Sequence, residues 1–228
     1  MGIKERQERD REAVRRSILD AARELFVAEG FQNVSIRKIA ERIEYSPAAI
    51  YGYFPSKDDI FFSLAEEGFR LLGDPSTGDR RDHLAGLDPL QRIRSIFWRI
   101  YEFSREQPQY FALMFVDRSV PRISREYERF AFAREMKRNI LELIQEAAAA
   151  GVLPPTLDPY AAFRTLTAGL LGAAVMRLSE RLAPGEDADV IAANVLDATI
   201  AGLQTGVALR PVAACPLDGE PVATTKVS

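Results

Sequence analysis

Two serine and proline punctuation points divide residues 35–57, SIRKIAERIEYSPAAIYGYFPSK, and leave room only for short helices. Ser46 can accept a backbone N–H as an N-cap, and Pro47 occupies the first helical position, where its missing N–H costs nothing. Pro55 then stops the helix that Ser46 opens. Upstream, Ser35 caps another short helix in which Ile36, Ile39, Ala40 and Ile43 recur at helical spacing, with Val34 and Ile39 as a hydrophobic staple. Only Glu44 and Tyr45 separate the two, and Ser56 with Asp59 reads as a capping box opening a further helix.

A connection this short makes the two helices cross steeply. Ile50 and Phe54 face inward, while Tyr45, Ala48, Ala49, Gly52 and Tyr53 are left largely on the outer side. That is the geometry of a helix-turn-helix, whose second helix enters the major groove of DNA.

Residues 15–61, about a fifth of the chain, resemble the DNA-binding domain of the tetracycline-repressor (TetR) family of bacterial transcription regulators. The resemblance rests on Ile18, Ala21, Ala22, Leu25, Phe26, Gly30, Ser35, Ile39, Ala40, Ser46, Ile50, Tyr51, Tyr53, Phe54, Ser56, Lys57 and Ile60 at fixed offsets. Two positions depart from it. Glu44 stands where the family usually has Gly, so a left-handed turn there carries strain, and Gly52 replaces a larger side chain in the reading helix.

The rest of the chain reads as all-α. Its periodic segments lack the Val/Ile/Thr-rich alternation of strands. The expected division is residues 1–56 as DNA-binding domain with an N-terminal arm, 57–209 as a helical regulatory and dimerisation domain, and 210–228 as a disordered tail. Residues 1–12, with Lys4, Arg6, Arg9 and Arg11 among four acids, are either a solvated extension or frayed helix start, or an arm that touches DNA. The stretch 73–89 breaks periodicity and marks the boundary loop, and a long helix is expected over about 122–150.

The segments 160–182 and 187–209 are rich in Ala, Leu, Val, Gly and Thr. Such a surface is hard for one protomer to hide, so the pair is expected to dock on its two-fold copy as a four-helix bundle. The apolar run Ala168–Met176 ends at Arg177 and is too short to cross a membrane, so none is expected. A single cysteine, Cys215, and a charged N-terminus suit a reducing cytoplasm.

Catalysis has little to stand on. His83 is the only histidine, no Cys/His pair or cluster has catalytic or metal spacing, and no glycine loop suits a nucleotide, so neither enzyme, metal nor cofactor is expected. The net charge of −3 does not exclude DNA, because a local basic face is what meets phosphate. Candidate contacts are Ser35, Arg37, Lys38, Tyr45, Ser46, Ala48, Ala49, Tyr51, Gly52, Tyr53 and Lys57. Lys57 adds charge at a helix start, Tyr51 is either a phosphate ligand or a core tyrosine, and Arg37 and Lys38 either reach DNA or are exposed charges.

Trp98, Tyr101, Phe111, Met114, Phe115, Phe130, Met136, Phe163 and Met176 are either core or the lining of a pocket for an apolar small-molecule effector. Together with the resemblance, these features predict a ligand-responsive repressor that binds a palindromic operator in double-stranded DNA as a homodimer. The alternatives are a constitutive DNA-binding factor without an effector and a helical enzyme keeping a vestigial DNA-binding domain.

Overall fold

The computed structural model describes residues 2–73, 86–121 and 130–210; 75% of these residues are helical and none forms a strand. Helix α1 (Ile3–Glu29) is followed by a 3-10 turn at Phe31–Asn33, α2 (Ile36–Arg42) and α3 (Pro47–Tyr51). Helix α4 (Lys57–Gly73) leads to α5 (Pro89–Glu106), the short α6 (Pro108–Phe111), α7 (Ala131–Ala149), α8 (Pro159–Leu178) and α9 (Ala188–Gln204).

Local chemistry sets most boundaries. Asp88 caps α5 by accepting from the Leu90 and Gln91 amides at 2.9 and 3.0 Å; Asp187 accepts from two amides at the start of α9, and Asp158 from the Tyr160 amide alone at the start of α8. Gly30 ends α1 with φ 81°, a backbone shape that costs a residue with a Cβ. Residues 3–12 form a regular continuation of α1, anchored where the Gly2 amide donates to the Glu5 carboxylate. The predicted segment 122–150 begins outside the described residues, as do His83, most of the boundary loop, and Cys215 with the tail beyond Arg210.

A run of nine phenylalanines joins the two ends of the core. Ring centroids 5.0–6.5 Å apart link Phe26, Phe31, Phe61, Phe62, Phe130, Phe69, Phe115, Phe111 and Phe103 in turn. Edge-to-face and tilted pairs of this kind add about 0.5–1.5 kcal/mol each beyond burial. α1 and α4 are thereby held to the second half by packing as well as by chain continuity.

α8 and α9 approach closely because small residues face each other. A Cβ at Gly169 would lie 2.8 Å from Val195 Cγ1. At 20 residues α8 is long and apolar enough to span a bilayer by length and composition, whereas the shorter run considered in the sequence is not, yet only 33% of its apolar window is buried within the chain.

Candidate nucleic-acid interface

The two serine caps form as the spacing requires. Ser35 Oγ accepts from the Lys38 amide, and Ser46 Oγ from the Ala49 amide, both at 3.2 Å. Between them the Tyr45 amide donates to the Ala40 carbonyl at 2.9 Å, closing a turn in which Glu44 has φ 60°. A non-glycine residue in this left-handed region costs about 1–2 kcal/mol. Glu44 therefore carries the strain that its position predicts.

Ile50 and Phe54 are buried and fix the roll of α3. Its outward side is then Tyr45, Ala48, Tyr51 and Gly52, all exposed, with Ala49 and Tyr53 half-buried beside them. Tyr51 is 56% exposed, which decides against a core tyrosine. One detail of the reading helix differs from expectation. α3 ends at Tyr51, and Gly52 follows as its C-cap with φ −70°, its amide donating to the Ala49 carbonyl at 3.1 Å. Gly52 is thus outside the helix interior, where its low propensity would have been costly, and the helix stops before Pro55 is reached.

The cations divide. Arg37 is exposed and donates to Glu41 one turn on at 2.8 Å. Lys38 reaches the Glu29 carboxylate and, at 3.1 Å, the Asn33 carbonyl. Lys57 is turned inward, contrary to the expectation of a side chain held out to phosphate: its ammonium donates to the Phe31 and Val34 carbonyls at 2.8 and 2.9 Å and lies 4.1 Å over the Phe31 ring. Burial lowers its pKa below the ordinary lysine value. The physical reason is that the turn after α1 leaves acceptor capacity on these carbonyls, the Phe31 carbonyl taking only the Val34 amide at 3.4 Å, and Lys57 fills it. Beside it, Ser56 Oγ accepts from the Asp59 amide at 3.1 Å and donates to its carboxylate at 2.7 Å.

A polar junction between α1, α4 and α6 escaped the sequence reading. On α1, Arg16 grips Asp20 with two N–H groups at 3.0 and 2.6 Å and reaches Glu67 on α4. Arg23, two turns on from Arg16, donates to the Tyr110 hydroxyl at 2.8 Å and to Gln109 at 3.1 Å, both on α6. The Arg16 hydrogen bonds hold the Asp20 carboxyl below its usual range, and burial pushes the Tyr110 hydroxyl up. Arg16, Asp20 and Arg23 at i, i+4 and i+7 were the legible sign, three charges on one side of the part of α1 that also carries the buried Ile18, Leu19, Ala22 and Phe26.

The comparisons meet this geometry at both ends of the chain. Residues 18–64 match the family described as bacterial regulatory proteins, tetR family, and residues 93–199 match the tetracyclin repressor-like C-terminal domain. The chain belongs to the TetR family. Among TetR relatives, the HTH-type transcriptional repressor Rv1474c of Mycobacterium tuberculosis is 36% identical over 81 residues, 33% of this chain and 43% of that protein. The repressor KstR of Rhodococcus jostii is 30% identical over 94 residues, 41% of this chain and 42% of its own. The chain spans less than half the length of these relatives. The solved structure of the transcriptional regulator FadR from Bacillus subtilis in complex with stearoyl-CoA superposes with a TM-score of 0.66 at 15% identity, over 82% of this chain and 97% of that one, which shows a shared fold.

In the second half of this TetR chain, the sequence-predicted pocket residues fall into three groups. Tyr101, Phe111, Met114 and Phe130 are buried, and the Tyr101 hydroxyl donates to Asp189 on α9 at 2.8 Å. Burial pushes the Tyr101 pKa up to about 12, with help from the Asp189 carboxylate. Trp98, Phe115, Met136 and Phe163 are half-buried against the core, Trp98 5.1 Å from the Tyr101 ring and Phe163 6.0 Å from Phe97. Met176 is a correction: it is 41% exposed on α8 and lines no interior of the single chain. It is the seam with α5 and α9 that fixes the roll of α8.

Two buried charges were missed. Arg99, 6% exposed, reaches Glu106 and the Leu71 carbonyl at the end of α4, and Lys137, 5% exposed, sits 4.5 Å over the Tyr160 ring. Lys137 was legible, since it shares the i, i+4, i+7, i+11 stripe of Ala133, Ile140 and Ile144.

Proposed function

We propose that this TetR-family chain is a homodimeric, ligand-responsive transcriptional repressor that reads a palindromic operator with α3. The observation that carries the reading is the face of α3: a capped, core-anchored helix that shows Tyr45, Ala48, Tyr51 and Gly52 to solvent. The tyrosine hydroxyls of Tyr45, Tyr51 and Tyr53 suit phosphate, Ser35, Arg37, Lys38 and Ser46 flank the same groove, and Ala48 and Ala49 can meet a thymine methyl. DNA as the target sets the cytoplasm as the place of action.

The dimer is supported by α8, whose apolar surface is mostly uncovered by its own chain, with Met176 and Val190 exposed on α8 and α9. A second copy docked there forms a four-helix bundle and sets the two reading helices about 34–36 Å apart, one turn of DNA. The effector is an apolar small molecule held among Trp98, Phe115, Met136 and Phe163, and the stearoyl chain of the stearoyl-CoA in the FadR structure is a ligand part of this chemical class. An effector that prefers a different tilt of α4 shifts the population away from the DNA-competent spacing. The division into residues 1–56 and 57–209 follows from these roles.

The test is fluorescence anisotropy of the protein with duplex DNA from upstream of its own reading frame and with a random duplex, at two salt concentrations. Preference of about a thousandfold, with a steep salt slope, is expected; equal weak binding to every duplex overturns the reading. A second reading, a constitutive factor without an effector, is favoured by the complete burial of Tyr101, Phe111 and Phe130 in core contacts. A set of long-chain apolar ligands that leaves both melting temperature and DNA affinity unchanged would select it.

A further inference from the structure

Residues 4–13 of α1 are exposed, so about three turns of helix project beyond Val14, the first side chain of the helix packed against the core. No apolar burial explains this projection. It nevertheless stays beside the reading helix. The Arg11 guanidinium lies 5.8 Å over the Tyr53 ring and that of Arg15 lies 5.2 Å over Phe54. Gln7, Asp10, Arg11 and Val14 form one wall of a groove of about 440 Å³, and Gly52 and Tyr53 form the other.

Helical spacing sorts the charges of this segment. At about 100° per residue, Lys4, Arg11 and Arg15 fall within about 40° of one another, on the side that continues the stripe of Ile18 and Ala22, while Glu5 and Glu12 turn away by a quarter of the circumference. Glu8 borders the stripe and Asp10 shares the groove wall with Arg11, so the groove itself carries charge of both signs. Lys4 lies about 10 Å further along the axis than Arg11. That distance is close to the width of the major groove that α3 would occupy, about 12 Å.

We propose that the first turns of α1 are a second DNA-contacting element, in which Lys4 and Arg11 hold the backbone flanking the half-site that α3 reads. The proposal rests on the DNA-binding reading above. In it, Tyr53 has a double role: its ring steadies Arg11 through a cation–π contact while its edge faces the groove. The element contributes affinity and register and carries no base preference of its own.

The experiment uses the full chain and a duplex that the unaltered protein enriches from a randomised pool, together with the same duplex trimmed of its outer flanks. Lys4→Ala/Arg11→Ala is compared with Arg138→Ala, an exposed charge on α7, and circular dichroism melting confirms that each variant is folded. Because a dimer loses two contacts from each protomer, the double variant is expected to flatten the log affinity–log salt slope by about 3.6, roughly 0.9 for each of the four lost phosphate contacts. It should also shorten the hydroxyl-radical footprint at its outer edges and leave the enriched sequence unchanged, with trimming costing the unaltered protein affinity but not the double variant. Arg11→Lys should keep the slope.

A folded double variant with an unaltered slope and footprint overturns the second contact while leaving the role of α3 intact. Failure of the unaltered protein to enrich any duplex overturns the DNA-binding reading itself.

Discussion

Arg23 Nη1 donates to the Tyr110 hydroxyl at 2.8 Å, and the same guanidinium lies 5.0 Å over the Tyr110 ring. One side chain of α1 thus holds a buried tyrosine of α6 by edge and by face. Neighbouring Phe111 points into the core of the second half, where its ring meets Phe103 and Phe115, so adjacent residues of a four-residue helix touch both halves of the chain.

Tyr110→Phe keeps the ring and removes the acceptor used by Arg23 and, at 3.4 Å, by Arg16. The expected loss of stability is about 1–2 kcal/mol, the usual cost of unpairing a charged donor that still reaches water in part. Urea denaturation checks it. If the junction couples the halves, the variant also weakens the effect of an effector on DNA affinity without altering the operator preferred.

Asp20 gives the junction a pH dependence. Hydrogen bonds and charge from Arg16, reinforced by Arg23, hold its folded pKa below the unfolded value. Its contribution is therefore complete above about pH 4, the unfolded carboxylate value, and is lost as pH falls through the folded pKa. Thermal melts from neutral pH into this acidic range should show a smaller loss of stability for Asp20→Asn than for the unaltered chain, on top of a lower stability at pH 7. Parallel curves would show that the pairing makes no net contribution.

Lys57→Met separates an internal tie from a phosphate ligand. Loss of the donors to the Phe31 and Val34 carbonyls predicts a destabilisation of about 1–3 kcal/mol. The salt slope of DNA binding should change by less than one contact's worth. A slope reduced by about 2, one contact from each protomer of the dimer, with unchanged stability would instead assign Lys57 to phosphate.

Glu44→Gly removes the strain of a left-handed residue in the turn between α2 and α3, where Glu44 has φ 60°. The glycine also gains unfolded-state entropy, so the net stabilisation should be about 1 kcal/mol or less. A raised melting temperature with unchanged operator preference is expected, since Glu44 shapes the turn and α3 does the reading.

Much of the fold was legible because its determinants are local. Ser35, Ser46, Asp88 and Gly30 act on amides and carbonyls within a few residues, and Pro47 acts on its own φ, so caps, turn and helix order follow without knowledge of the rest of the chain. The roll of α3 followed in the same way from Ile50 and Phe54. The alanine- and glycine-rich texture of α8 and α9 likewise announced their close approach.

Tertiary structure alone decided what depends on residues far apart in the chain. Lys57 meets carbonyls 26 and 23 residues away, Arg23 meets Gln109 and Tyr110 across 86 and 87 residues, and Arg11 meets Tyr53 on another helix. Whether a long cationic side chain turns toward solvent, a carbonyl or a ring is a competition among partners that only the packed fold brings within reach, and helical periodicity does not rank them. Met176 shows the same limit in reverse: its apolar character was plain, but the packing of α8 on α5 and α9 determined that it faces outward.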